Sequence, residues 1–129
     1  MKIYNFCILY VFILAEITQF KVDGTLKRFT YENGRLIVTR RGSYYIYAQA
    51  FFENYNQGDF LHNRVALTIN GNDVSLLQTA LGEGLTDYGS QFTGVFKFLK
   101  KGDYISLKTV YPSALWVTGG HTFFGAHKI

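Results

Sequence analysis

The chain has 129 residues and a formal net charge of +4, with 13 glycines, one proline and an aromatic fraction of 18%. This length suits one domain with one core, and so high an aromatic content excludes a disordered chain. The abundance of Tyr, Phe and Gly favours an all-β protein with tight turns over a helical one.

Positive charge is spread along the sequence, with local pairs at Lys27-Arg28, Arg40-Arg41 and Lys100-Lys101. Single-strand nucleic-acid binders combine a basic groove with exposed aromatic side chains on which bases stack. We find no basic stripe with interleaved aromatic residues, so we predict no nucleic-acid partner.

The first twenty residues have the outline of a secretory signal. Lys2 supplies a positive start, and ten apolar residues run from Phe6 to Ala15. This run is shorter than the roughly twenty residues of a membrane-spanning helix. We therefore divide the chain into an apolar leader, residues 1–20, and a domain, residues 21–129. Alternatives for the leader are a permanent anchor or a β-strand of the fold itself, and any membrane contact is predicted through this segment alone.

Turn signals divide the remaining sequence at a nearly regular spacing. Asp23-Gly24, Asn33-Gly34 and Asn70-Gly71 are typical of short hairpins, and a further turn is predicted at Lys100–Asp103. Nine strands are predicted, at residues 18–22, 25–31, 35–40, 43–52, 64–70, 75–81, 92–99, 104–111 and 121–128. Longer loops are predicted at residues 53–63, 82–91 and 111–120. Many short strands without a helical period predict an all-β fold, an antiparallel β-sandwich of jelly-roll topology.

The strand predicted at residues 43–52 is apolar on both faces. One face carries Tyr44, Ile46, Ala48, Ala50 and Phe52, and the other carries Tyr45, Tyr47, Gln49 and Phe51. An antiparallel sheet usually packs one face on the core and exposes the other to solvent. A strand that is apolar on both faces therefore needs a second partner, and we predict another copy of the chain in that place.

Three separated motifs resemble those of the tumour necrosis factor (TNF) ligand superfamily. They are Gly-Ser-Tyr-Tyr-Ile-Tyr-Ala-Gln at residues 42–49, a Gly-Val-Phe run leading to a Lys-Gly-Asp turn at residues 94–103, and Thr-Phe-Phe-Gly at residues 122–125. Their order and spacing also match over residues 31–129. The sequence departs from the family pattern at its start, where we find neither the usual Ala-His-Leu-like first strands nor a stalk.

This resemblance implies a homotrimeric jelly roll whose subunits meet near a three-fold axis. The residues implied at the trimer interface are Tyr45, Tyr47, Phe92, Phe123 and Ile129. Each large aromatic side chain carries about 150 to 250 Å² of surface, so three on one face reach the largest apolar patch that monomers usually expose. The alternative is that these rings lie inside a monomeric core.

The resemblance also implies an extracellular cytokine, secreted or membrane-anchored, that binds and clusters cell-surface receptors of the TNF receptor family. The residues predicted to bind the receptor form one turn, Asn70, Gly71, Asn72, Asp73 and Val74. An ordinary solvated hairpin is the alternative for this turn.

No catalytic residue, cofactor or metal site is predicted, so the chain is not expected to be an enzyme. His62, His121 and His127 lie in unrelated sequence contexts, without the His and carboxylate clusters that metal sites need. Two other binding functions stay open. A complement globular head shares the trimeric jelly roll, although its collagen repeats are absent from this sequence. A carbohydrate-binding β-sandwich would use the aromatic residues as exposed platforms.

Overall fold

The computed structural model describes residues 2–4, 8–11, 16–18, 20–23, 26–54, 62–80, 87–110, 113–116 and 121–129. Twelve β-strands lie in these ranges. They are β1 (Lys2–Tyr4), β2 (Ile8–Val11), β3 (Lys21–Asp23), β4 (Phe29–Glu32), β5 (Arg35–Val38), β6 (Gly42–Asn54), β7 (His62–Ile69), β8 (Asn72–Ala80), β9 (Asp87–Leu99), β10 (Tyr104–Thr109), β11 (Ser113–Trp116) and β12 (Phe123–Lys128). Over the described residues, no helix has the length and hydropathy needed to cross a bilayer.

The strands form two antiparallel sheets that pack face to face. The first sheet has the order β2-β11-β6-β12-β1-β3, and β9 pairs with the opposite edge of β6. The second sheet has the order β4-β5-β10-β7-β8. This arrangement confirms the predicted all-β fold, an antiparallel sandwich of jelly-roll topology.

The core lies between the sheets and is supplied by alternate residues of each strand. All five residues of one predicted face of β6 are fully buried, namely Tyr44, Ile46, Ala48, Ala50 and Phe52. Leu67 and Leu107, on neighbouring strands of the second sheet, belong to the same buried cluster. Because side chains alternate along a strand, burial of this face directs Tyr45 and Tyr47 away from the core.

Two of the predicted hairpin turns are confirmed with their backbone geometry. Asn33 and Gly34 have φ values of 49° and 87°, and Asn70 and Gly71 have values of 53° and 80°. Two successive residues with positive φ are typical of the type I′ turn, which suits the twist of a hairpin. The turn at residues 100–103 is also present. The fourth predicted turn involves Gly24, which lies outside the described residues.

Several predicted boundaries differ from those of the structure. The loop predicted at residues 82–91 overlaps β9, which begins at Asp87 and pairs with β6 over thirteen positions. Residues 87–91 are mostly polar or Gly, with weak strand preference. The long partner strand nevertheless supplies their backbone hydrogen bonds, and such tertiary context overrides propensity. The loop predicted at residues 111–120 likewise contains β11, which pairs with β2 and β6.

Part of the predicted leader contacts the sandwich. β1 pairs with β12 and β3, while β2 pairs with β11. Ile17 is 3% exposed and belongs to the buried cluster, and its amide donates a hydrogen bond to the Leu107 carbonyl at 2.8 Å. Contacts of the domain therefore extend upstream of residue 21, while the division at residues 20 and 21 and the removal of the leader stay predictions.

Candidate functional site

An aromatic face covers the outer side of the first sheet. It is built from β6, β9 and β12, because β6 pairs with both other strands and several outward-facing residues of the three strands are large and apolar. We define the aromatic face by Tyr45, Tyr47, Phe92, Phe96, Phe98, Phe123 and Ile129. The five residues predicted at a trimer interface all belong to it. With Phe96 and Phe98 added, the face contains residues of all three motifs, together with Phe92 and Ile129 outside them.

Tyr45 lies at the centre of this face. Its ring centroid is 5.0 Å from that of Phe96, 5.9 Å from that of Tyr47 and 5.5 Å from that of His127. Tyr47 continues the contacts to Phe123, with centroids 6.4 Å apart at an interplanar angle of 70°. These separations are those of favourable aromatic pairs. The rings thus form one connected surface across three strands.

The rings on β9 are the most exposed part of the aromatic face. Phe92, Phe96 and Phe98 are 57%, 71% and 56% exposed, and Ile129 is 66% exposed. With about 200 Å² for each Phe side chain, the three rings alone expose roughly 370 Å² of apolar surface. Monomeric proteins rarely expose a larger contiguous patch unless it binds something. Tyr45, Tyr47 and Phe123 are only partly buried, so they do not lie inside a monomeric core.

Gly94 allows the Tyr45 ring to lie across β9. A Cβ atom at residue 94 would lie 2.1 Å from the Tyr45 hydroxyl oxygen and 2.7 Å from its Cζ. Any side chain here would displace the ring from its place beside Phe96. The glycine of the Gly-Val-Phe motif therefore has a packing role in the aromatic face.

The hydroxyl of Tyr47 stays protonated at physiological pH. Burial raises its pKa above the ordinary value, and the nearby Tyr45 adds to the shift. Tyr47 consequently carries no charge that would oppose its burial against another protein.

The predicted receptor-binding turn lies at one end of the second sheet. The Asn70 side chain donates to the Asp103 carboxylate at 3.0 Å and accepts from the Tyr104 amide at 3.0 Å. Asp73 forms an ion pair with Lys108, with 2.8 Å between the charged atoms. Val74 packs partly buried against the core, so it does not project as an apolar anchor. Gly71 and Asn72, together with Asp73, are exposed.

A second hairpin lies beside this turn. Arg35 donates two hydrogen bonds to the Glu16 carboxylate, at 2.9 and 3.1 Å, and its guanidinium carbon is 4.2 Å from the centre of the Tyr104 ring. The carboxylate raises the pKa of Arg35 above its ordinary value. These residues line a cleft of about 290 Å³. Tyr104 therefore contacts both hairpins, since its ring lies under Arg35 and its amide donates a hydrogen bond to the Asn70 side chain.

Two histidines of the described residues lie beside aromatic rings. No group of three or more His, Cys, Asp or Glu residues comes together as potential metal ligands within the described ranges. His121 contacts the Phe51 ring with centroids 4.9 Å apart, and His127 contacts Tyr45 on the aromatic face. These two histidines therefore lie among aromatic rings.

Sequence reasoning missed two members of the aromatic face, Phe96 and Phe98. Phe96 stands opposite Tyr45 in the register, and Phe98 stands opposite Ser43. Their signal was present in the sequence, since both share the alternation of Phe92 along one strand. Their place beside the β6 rings required the pairing of β6 with β9.

Comparison with known proteins decides the family. The model of the TNF (tumour necrosis factor) family matches residues 21–129. The chain belongs to the tumour necrosis factor family. Human tumor necrosis factor ligand superfamily member 11 is 31% identical to it over 118 residues. That match covers 81% of this chain and 37% of the relative, so the chain spans little more than a third of the relative's length.

Solved TNF-type structures share its fold. The Eiger TNF of S. frugiperda superimposes with a TM-score of 0.82 at 15% identity, covering 100% of this chain and 92% of that one. Murine APRIL at pH 5.0 gives a TM-score of 0.73 at 18% identity, covering 99% and 96%. These comparisons confirm the sequence resemblance, and they make the chain a TNF-type ligand domain.

Proposed function

We propose that this TNF domain acts as an extracellular cytokine that forms a homotrimer and clusters receptors of the TNF receptor family. Family membership favours the proposal, because ligands of this family generally trimerise and bind TNF receptors. The chain also exposes an aromatic face, and five of its seven members lie in the motifs that resemble those of the family. This face is the single observation that carries the proposal.

The size of the aromatic face suits a subunit interface. A stable interface buries about 800 Å² on each partner around an apolar centre rich in aromatic residues. The exposed β9 rings supply roughly half of that area, with Tyr45, Tyr47, Phe123 and Ile129 adding to it. A closed trimer places the same face of each subunit around one axis, so three copies cover one another without leaving an open edge.

Receptor clustering needs three binding sites held together and no covalent chemistry. Joining three weak sites in one particle raises the effective concentration for each further contact, so avidity exceeds single-site affinity by about 10² to 10⁴. We therefore assign the chain no catalytic role. The turn at residues 70–74 stays our proposed receptor contact, through its exposed members Gly71, Asn72 and Asp73.

Solution mass tests the trimer. Light scattering of the full chain should give about three times the 14.8 kDa subunit mass. Tyr47→Asp buries a charge in the proposed interface and should yield monomers at the same concentration. Leu76→Asp is the matched control, because Leu76 is 51% exposed on the second sheet and should leave the trimer intact. A monomeric wild type, or equal effects of the two variants, would overturn the trimer.

A panel of TNF-receptor ectodomains tests the ligand function. The wild-type trimer should bind at least one of them, and Asn72→Arg should weaken that binding by tenfold or more, the order expected for disturbing one well-packed contact. Thr30→Arg introduces the same side chain at an exposed position of β4 and should not change receptor binding. A trimer that binds no receptor contradicts the ligand assignment, while equal binding by both variants moves the contact away from residues 70–74.

We propose that the leader directs the chain out of the cell, either as a signal that is then cleaved or as a segment that anchors the chain in the membrane. Family membership favours an extracellular or membrane-anchored protein. The same membership favours the TNF ligand over the complement head and the carbohydrate-binding sandwich that the sequence left open.

A further inference from the structure

Two basic dipeptides meet at one end of the sandwich. Arg40-Arg41 lies between β5 and β6, and Lys100-Lys101 lies between β9 and β10, about sixty residues later in the sequence. Together with Thr39 and Phe98 they line a cleft of about 540 Å³. We call this cleft, with its four cations, the basic cleft.

Backbone hydrogen bonds hold the two sides of the basic cleft together. The Gly102 amide donates to the Val38 carbonyl at 2.8 Å, and the Val38 amide donates to the Asp103 carbonyl at 2.8 Å. The Tyr44 hydroxyl donates to the Arg40 carbonyl. The cations therefore project from connected turns with fixed backbones.

Two more cations border the cleft. The Lys128 side chain crosses Gly42, since a Cβ atom at residue 42 would lie 2.4 Å from the Lys128 Cε. The Arg28 carbonyl accepts a hydrogen bond from the Thr39 amide at 2.9 Å. The Arg28 Nε is buried and has no hydrogen-bond partner among the described residues. Six cations thus gather near the end of the aromatic face.

Little negative charge offsets this cluster. None of the four cations of the cleft forms an ion pair within the described parts of the chain. The nearest acid in the sequence, Asp103, accepts hydrogen bonds from the Lys100 amide at 2.8 Å and from the Asn70 side chain at 3.0 Å. These bonds lower the pKa of Asp103 and engage both of its oxygens, and the charge of Lys100 adds a smaller lowering although the two side chains form no ion pair. Such a concentration of like charge favours a bound anion.

Four neighbouring cations on two turns suit a polyanion that carries several anionic groups. Guanidinium groups bind oxyanions through paired hydrogen bonds, and lysines bind them as point charges. Arg41 lies over the Phe98 ring, with its guanidinium carbon 5.7 Å from the ring centre, so the cleft adjoins the edge of the aromatic face. One exposed ring is few for stacking successive bases of a nucleic acid. Acidic lipids lie mainly in the cytoplasmic leaflet, away from an extracellular protein.

We propose that the basic cleft binds a sulfated polysaccharide, with sulfate groups held by Arg40, Arg41, Lys100 and Lys101. The choice of polysaccharide over lipid rests on the proposed extracellular function, whereas the cleft itself lies within a single chain. Bound polysaccharide would hold the ligand near the surface or matrix where it is released. It would also neutralise the cations that a trimer brings together beside its axis.

Heparin binding by the full chain tests this proposal. Affinity is measured as a function of NaCl for wild type, Arg40→Gln/Arg41→Gln and Lys100→Gln/Lys101→Gln. For a polyanion, each lost cation reduces the magnitude of the slope of log affinity against log salt concentration by about 1, so this magnitude should fall by about 2 in each double variant. The control variant Arg35→Gln/Lys108→Gln also removes two positive charges, but from residues that are paired with carboxylates. It should bind heparin nearly as tightly as wild type does.

Three results would overturn the proposal. The first is that wild type does not bind heparin at about 0.15 M NaCl, a physiological ionic strength. The second is that the control variant loses as much heparin affinity as the cleft variants. The third is that the chain binds poly(dT) or phosphatidylserine vesicles as tightly as it binds heparin. Hyaluronan, which carries carboxylates and no sulfate, should bind more weakly than heparin. The monomeric Tyr47→Asp chain keeps the cleft and should still bind heparin. A wild-type chain that stays monomeric and binds heparin would refute the trimer while supporting this site.

Discussion

Shortening Phe96 to Ala should weaken subunit assembly without weakening the fold. Phe96 is 71% exposed in the single chain, which is about 140 Å² of a side chain of roughly 200 Å². At about 25 cal/mol per Å², covering this area in a trimer contributes up to roughly 3.5 kcal/mol for each subunit. The trimer as a whole would then lose up to about 10 kcal/mol.

The expected change in assembly is large enough to measure by dilution. Even half of the upper figure, about 5 kcal/mol, raises the midpoint of dissociation roughly 70-fold, because that midpoint scales with the square root of a trimer dissociation constant. Light scattering or sedimentation across a dilution series gives the midpoints for wild type and Phe96→Ala. Urea unfolding of the monomers at high dilution gives the stability of the fold.

Phe124→Ala is the matched control on the core side of the same sheet. Phe124 is fully buried and contacts Phe20, with ring centroids 5.1 Å apart. Its truncation should cost about 3 to 5 kcal/mol of unfolding free energy at every protein concentration. The reasoning is refuted if Phe96→Ala leaves the dissociation midpoint unchanged, or if it destabilises the monomer as much as Phe124→Ala does.

Three further predictions follow from other contacts. Gly94→Ala displaces the Tyr45 ring, so dilution should dissociate this variant at a higher concentration than wild type; an unchanged midpoint would contradict that role. The lowered pKa of Asp103 means that its stabilising effect is complete above its ordinary pKa near 4 and is lost as pH falls through the lower folded value. Asp103→Asn should therefore lose less stability than wild type during acid titration followed by circular dichroism, and parallel curves would argue against it. A chain beginning at residue 21 lacks the buried Ile17. Its free energy of unfolding in urea should be at least about 2 kcal/mol lower than that of a chain beginning at residue 16. Equal unfolding midpoints would show that Ile17 adds no stability.

The two-sided character of β6 was predictable because it depends on one strand. Alternation separates Tyr44 from Tyr45 whatever the rest of the chain does, and the hairpins at Asn33-Gly34 and Asn70-Gly71 depend on local backbone preference. These features are set within a few residues. Local patterns of this kind predicted the fold class, whereas the five predicted members of the aromatic face came from the resemblance to the TNF ligand superfamily.

The remaining features depend on pairing between distant segments. Residues 87–91 are in a strand because the long β6 pairs with them, and no local sequence pattern predicts this strand. Arg40-Arg41 and Lys100-Lys101 were visible as separate pairs, but their meeting follows from bonds between Val38 and the 102–103 turn. Val74 belongs to the turn predicted to bind the receptor, and it packs partly buried against the core. Local reasoning gives no account of what an exposed-looking side chain meets.

Burial of the aromatic face in the assembled protein is the central claim, and hydroxyl-radical footprinting tests it most directly. Oxidation of Phe92, Phe96 and Leu76 is compared at concentrations above and below the dissociation midpoint. The two phenylalanines should become protected on assembly, while Leu76, on the second sheet, should keep its reactivity. If Phe96 stays as reactive in the assembled protein as in the monomer, the subunits meet through another surface and the aromatic face is not the interface.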